Sequence, residues 1–198
     1  MRVRRMEYGV LATGDVRMAK RRSSERERFP PPSTSLLLDD DGSDRDFRRL
    51  VYSIIELGAL LADHRDFYGA YLGVTGRQYV IMAILSVARR ATVGEVAAQM
   101  GVSSQFVTAE ANKLIARDIV AKTRNQADGR SVLLALSPNG RDLITKLGPL
   151  RRESNDLMYR SLNWEKLKIL QELVSDLIED ARVAMHALQS PERRPRAR

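Results

Sequence analysis

Asp128 and Arg130 stand two residues apart in the polar run NQADGRS, residues 125–131, between the apolar runs DIVAKT and VLLALS. That pattern reads as the tip of a hairpin. A guanidinium fork on a slim tip is a hydrogen-bond donor suited to recognition, and Gly129 can supply the positive φ that a tight turn needs. Arg124 precedes the tip. Some twenty residues upstream, Ser104, Gln105, Thr108 and Asn112 fall on one face of an expected helix, with Lys113 a turn later and Ser103 just ahead. Gln105 and Asn112 carry amides of the kind that bond adenine bidentately, and the hydroxyls reach phosphates or base edges.

Catalytic chemistry finds little support. There is no cysteine, which removes disulfides and thiolate catalysis together, and the two histidines, His64 and His186, lie far apart with no metal-ligand spacing. No glycine-rich phosphate loop and no Gly-x-Ser-x-Gly elbow occurs. Glu179 and Asp180 are neighbours on a helix and point in divergent directions, as a solvated face does. Neither an enzyme nor a bound cofactor or metal is expected.

The elements that must position these side chains are marked by local signals. From Asp44 onward Phe47, Leu50, Val51, Ile54, Gly58 and Leu61 recur at helical steps, predicting a helix to about Tyr68. Thr75 with Gln78, and Thr92 with Glu95, are capping boxes for two more helices, the second closing on Gly101. Ser103 caps a fourth, with Val107, Ala111, Leu114 and Ile115 inward, ending near Asp118. IVAKTR and SVLLAL form a two-stranded ribbon. Ser137, with Pro138 at the first helical position, starts a fifth helix. Asn163 starts the last, which carries the stripe Leu167, Leu170, Leu173, Val174, Leu177, Ile178 and Ala181.

Two short helices joined through MGVSS have the proportions of a helix-turn-helix: Ala97 is small where the helices cross, Gly101 turns tightly and Val107 locks the second helix onto the first. The ribbon that follows makes it a winged helix. Phe106 is either tucked against the neighbouring helix or exposed to meet a thymine methyl.

TGRQYVIMAIL and TVGEVAAQMGVSSQFVTAEANKLIARDIVAKTRNQADGRSVLLALSPNGRDL, in that order and spacing, resemble the MarR (multiple antibiotic resistance regulator) family of bacterial transcription factors. The resemblance covers about residues 44–188 and implies a mainly α fold with a small two- or three-stranded β wing, a winged helix-turn-helix with N- and C-terminal dimerisation helices. Its most specific part is Asp128-x-Arg130, then a strand and Ser-Pro-x-Gly. By resemblance the wing sends Arg130 into the minor groove, oriented by Asp128, where the negative potential of a narrow groove is strongest; the alternative is a mere Asp128–Arg130 pair across a solvated turn. Gly129 stands where the family usually has a basic residue, and Ala109 where it commonly has arginine.

The expected organisation is an arm over 1–43, a dimerisation helix over 44–74, the winged helix-turn-helix over 75–140, dimerisation helices over 141–189 and a basic tail over 190–198. The arm mixes KRRSSERER, FPPPSTS and DDDGSD without a sustained period and reads as disordered; Met6 and Met18 are alternative starts. Of the net charge of +8 at pH 7, the arm holds +2 and the tail +3. With 43% hydrophobic residues and no run of about 18 apolar ones, a soluble chain with no membrane partner is expected, cytoplasmic by the lack of a signal peptide.

The last helix's stripe is wide enough for two neighbours, although a plain long core helix would show the same. With the resemblance, a homodimer is expected, placing two recognition helices roughly 34 Å apart on a pseudo-palindromic operator in double-stranded DNA. The resemblance also implies a repressor released by an aromatic carboxylate or an acyl-CoA thioester. DHRDFYGAY places His64 and Tyr68 four apart with Arg65 beside them, and Tyr79 and Met82 open the next helix. A cation among aromatic rings suits a carboxylate, and equally these are ordinary interface residues. The rival to sequence-specific regulation is nonspecific or architectural nucleic-acid binding driven by the arm and tail.

Overall fold

A computed structural model of the chain describes residues 42–124 and 132–190. Two compact units divide it, residues 1–57 and 58–198. The first contributes the leading half of α1 (Arg45–Tyr71), opened by Asp44, whose carboxylate takes both Nε (2.9 Å) and Nη2 (2.8 Å) of Arg48. Along that half Leu50, Tyr52, Ile54, Ile55 and Leu57 are exposed.

The second unit begins with the rest of α1, followed by α2 (Gly76–Ala88), β1 (Ala91–Thr92), α3 (Val93–Met100), α4 (Ser104–Ala116), β2 (Val120–Arg124), β3 (Val132–Leu136), α5 (Pro138–Met158) and α6 (Trp164–Leu188). The expected fold class holds: mainly α with a three-stranded antiparallel sheet, order β1-β3-β2. Helix starts fall on the side chains that predicted them. Thr75 and Thr92 close full capping boxes, and Ser103, Ser137 and Asn163 each accept the N–H three residues on.

Three helices end alike. Gly73 after α1, Gly101 after α3 and Asp118 after α4 take positive φ of 68°, 64° and 52°. The following residue's N–H then reaches back to the last turn: Val74 to Gly69, Val102 to Ala97, Ile119 to Leu114. This is the Schellman stop. The stop at Gly73 carries α1 three residues beyond the expected Tyr68, burying Tyr68 and Gly69. A Cβ on Gly69 would lie 2.6 Å from Gly76 N, so glycine there lets α1 end against the start of α2.

The core draws Ile81, Met82 and Leu85 from α2, Val96 and Ala97 from α3, and Val107, Ala111 and Leu114 from α4. Ile119 just ahead of β2, Val120, Leu134 and Leu136 of the sheet and Leu147 of α5 add to it, as do Tyr68, Leu72, Val74, Tyr79 and Ala91. Fully burying such a side chain stabilises by about 1.5–3 kcal/mol relative to exposure. α6 is different: none of its 25 residues is buried.

Candidate nucleic-acid interface

α3 and α4 form the helix-turn-helix. Ala97 (4% exposed) sits at their crossing, and Val96, Val107 and Leu114 have no exposed surface. With that face of α4 committed inward, Ser104, Gln105, Thr108, Ala109, Asn112 and Lys113 are all exposed, with Ser103 at the cap. At ~100° per residue they cover about half the helix circumference, opposite the core. The amide and hydroxyl groups singled out from sequence are therefore presented together on one rigid element. Thr108 donates its hydroxyl to the Ser104 carbonyl (2.9 Å), which leaves its oxygen as an acceptor toward a partner.

α4 is held at its C-terminal end and near its middle. At its C-terminal end Arg117 Nη1 donates to the Gly73 carbonyl (2.8 Å). Near the middle, Glu110 accepts from Gln78 Nε2 (2.8 Å) with one oxygen and from Lys113 Nζ (2.6 Å) with the other. Gln78 Oε1 in turn accepts the Thr75 N–H (3.1 Å), so one buried amide both caps α2 and grips α4. The Lys113 ammonium, with help from Gln78, holds the Glu110 carboxyl below its ordinary value. Phe106 is half-buried against the core with the Arg77 guanidinium 5.1 Å from its ring centroid, which answers the question its sequence position raised in favour of tucking.

The ribbon leaves the core at once: Val120 is 2% exposed, while Ala121 through Arg124 are exposed. Strand alternation puts Lys122 on the same face as Arg124, a second cation that period-two reading of VAKTR would have found. Asp128 and Arg130, the expected wing-tip pair, lie outside the described residues. The wing's base is firm. Ser137 Oγ donates to the Asp118 carbonyl (2.6 Å), Asn139 Nδ2 donates to the same oxygen (3.2 Å), and Ser137 also caps α5. Gly140 packs so close to the Ile119 carbonyl that a Cβ would collide with it. The Ser-Pro-x-Gly run is thus the clamp between the end of α4, β2 and α5.

The second group of expected site residues is only partly brought together. His64, Tyr68 and Tyr79 form an aromatic row, with ring centroids 6.4 Å and 5.3 Å apart. Tyr68 is buried, and its hydroxyl has no hydrogen-bond partner among the described residues. His64 Nδ1 lies 2.8 Å from the Leu60 carbonyl. Arg65, however, spends its fork on Asp66 (3.1 and 3.3 Å), and Met82 has no exposed surface and packs in the core. Among the described residues no single helix is long and apolar enough to cross a membrane.

Residues 72–131 match the sequence model of the MarR family. None of the curated proteins matches the chain in sequence. Among solved structures it is similar to AbsC, a MarR family transcriptional regulator from Streptomyces coelicolor, at 19% identity and a TM-score of 0.60, covering 73% of this chain and 97% of that one. It is similar to the M. tuberculosis transcriptional regulator MOSR in complex with DNA, at 22% identity and a TM-score of 0.53 over 67% and 97% of the chains. It also resembles NadR in complex with 4-hydroxyphenylacetate, at 21% identity and a TM-score of 0.57 over 64% and 89%. At these identities the likeness is one of fold.

Proposed function

We propose that this chain, whose residues 72–131 form a MarR-family segment within a winged-helix fold, is a homodimeric regulator that reads a pseudo-palindromic site in double-stranded DNA. The observation that carries the reading is the polar face of α4: Gln105, Thr108 and Asn112, exposed together and backed by Val107 and Leu114, which have no exposed surface. Ser103 and Ser104 stand at the helix N-terminus, where N–H groups favour phosphate. Lys113, Lys122 and Arg124 add sequence-independent attraction. Arg130, steadied by Asp128, enters the adjacent minor groove.

The exposed apolar residues of α6 support pairing of protomers, since Leu170, Leu173, Val174 and Leu177 are each 41–55% exposed in the single chain. The dimerisation helices are accordingly the first helix, over 44–74, and those of 141–189. Repression relieved by a small aromatic carboxylate fits the row His64, Tyr68 and Tyr79, where the buried Tyr68 hydroxyl has no hydrogen-bond partner among the described residues. The segments 1–43 and 190–198 add mainly sequence-independent affinity.

Footprinting of the full chain on the DNA upstream of its own gene tests the reading. Two protected half-sites about one helical turn apart are expected. Protection without dyad symmetry, or equal affinity for random duplex, would leave only a nonspecific binder.

A further inference from the structure

A cavity of about 580 Å³ opens between the end of α2, β3 and the start of α5, away from the polar face of α4 and from the His64–Tyr68–Tyr79 row. Its lining combines two chemistries. Leu85 and Leu136 are buried and Ile144 is half-buried, which makes an apolar floor. Arg89, Arg90 and Arg141 are exposed and make a cationic rim, and no carboxylate lines it. Among the described residues none of the three arginines pairs with an acid. Arg141 gives one N–H to the Leu136 carbonyl (2.8 Å), which fixes its stem and leaves the rest of the fork open.

The backbone that presents this rim is unusual. Arg89 has φ 62° and ψ −45°, and the Arg90 N–H reaches the Ala88 carbonyl at 2.7 Å across it. That is a γ-turn of the rare, strained hand, centred on a residue that is not glycine. Glycine would fit the turn without strain, so packing alone gives no reason for arginine there. Strain held at the mouth of a cavity is where binding sites concentrate it. The volume is that of a small-molecule site, with an apolar body and a few convergent polar groups.

The geometry points to a binding site for a small amphipathic anion, its carboxylate or phosphate head held by Arg89, Arg90 and Arg141 and its apolar body on Leu85, Leu136 and Ile144. Guanidinium forks match either head group bidentately. An occupant would touch Ala135 and Leu136, the end of the strand that descends from the wing, and so would bear on the wing's base. The site itself does not depend on the proposed DNA reading.

Calorimetric titration of the full chain with octanoate, octyl phosphate and 1-octanol, without DNA, tests it. Both anions should bind, with octanol at least about tenfold weaker; the relative affinity of the two anions tells which head group is preferred. Arg89→Gly relieves the turn while removing the side chain, so it should melt no lower than the parent and lose at least about tenfold in affinity for the anions. Arg90→Gln should weaken binding in the same direction. Octanol binding as well as octanoate, absence of binding by both anions, or unchanged anion affinity in Arg89→Gly would each overturn the assignment. If Arg89→Gly weakened duplex binding while anion affinity stayed constant, those arginines would serve DNA and the site would fall. Failure of the DNA reading would leave the titration untouched.

Discussion

α4 and α6 are both amphipathic helices with apolar residues at helical spacing, yet the structure treats them oppositely. In α4 the inward residues Val107 and Leu114 have no exposed surface; in α6 Leu173 and Leu177 remain 55% and 51% exposed. The sequence stripes are alike because periodicity reports an apolar face and not what lies against it. What differs is the cover: α4 is closed by α2, α3 and β2, whereas among the described residues nothing buries α6. An apolar face this long left open is uncommon, so the contrast separates a helix closed by its own core from the surface on which the proposed pairing of protomers rests.

Breaking α6 should produce the largest effect. Leu173→Asp combined with Leu177→Asp places two charges in the stripe and should leave a monomer by light scattering. Loss of the second, tethered half-site should weaken binding to a palindromic duplex by about 10²–10⁴-fold, while circular dichroism shows the helices retained. A dimer of unchanged stability would remove the reason given for the exposed stripe.

The same contrast can be sharpened by truncation. Leu114→Ala empties a closed site and should cost about 2–5 kcal/mol in urea unfolding. Leu170→Ala, measured at a dilution where protomers are separate, should stay within about 0.5 kcal/mol. Near-equal costs would mean that α6 is covered within its own chain.

A smaller effect distinguishes two glycines of α5. Gly140→Ala drives a methyl into the Ile119 carbonyl and should cost about 1–3 kcal/mol, loosening the base of the wing. Gly148 has nothing within 4 Å of a built Cβ, so Gly148→Ala should be neutral, or stabilising by up to about 1 kcal/mol from helix propensity. Thermal melts of the two variants give the comparison directly.

The same division runs through what the sequence made legible. The caps at Thr75, Thr92, Ser103, Ser137 and Asn163 could be read because each partner lies three residues away, and the inward face of α4 because periodicity reports it. The stop at Gly73 was equally local and carried the signal that Gly101 did. What composition and spacing could not show were contacts set by tertiary placement. Gln78 reaches Glu110 across 32 residues, Arg117 reaches Gly73, and Ser137 reaches Asp118. Two-residue β1 escaped because a strand that short has no period, and its Thr92 serves as a cap at the same time. Of the aromatic row, the spacing of His64 and Tyr68 was visible, but the pairing of Arg65 with its own neighbour Asp66, and the enclosure of Met82, were not.

The smallest effect concerns how α4 is held rather than covered. Glu110 takes its proton less readily in the folded chain than an ordinary glutamate, first because of the Lys113 ammonium and then because of the Gln78 amide. A carboxyl depressed by folding contributes stability that is fully present above its ordinary value and is lost as pH falls through the depressed one. Stability should therefore drop more steeply as pH falls below about 4.5 in the parent than in Glu110→Gln, by less than about 1 kcal/mol because Lys113 is solvent-exposed. Gln78→Ala frees one oxygen of Glu110 and releases the α2 cap with it, so it should cost more than Glu110→Gln at neutral pH while flattening the acid limb. Identical pH profiles for the parent and Glu110→Gln would mean that α4 is positioned by its apolar face and Arg117 alone.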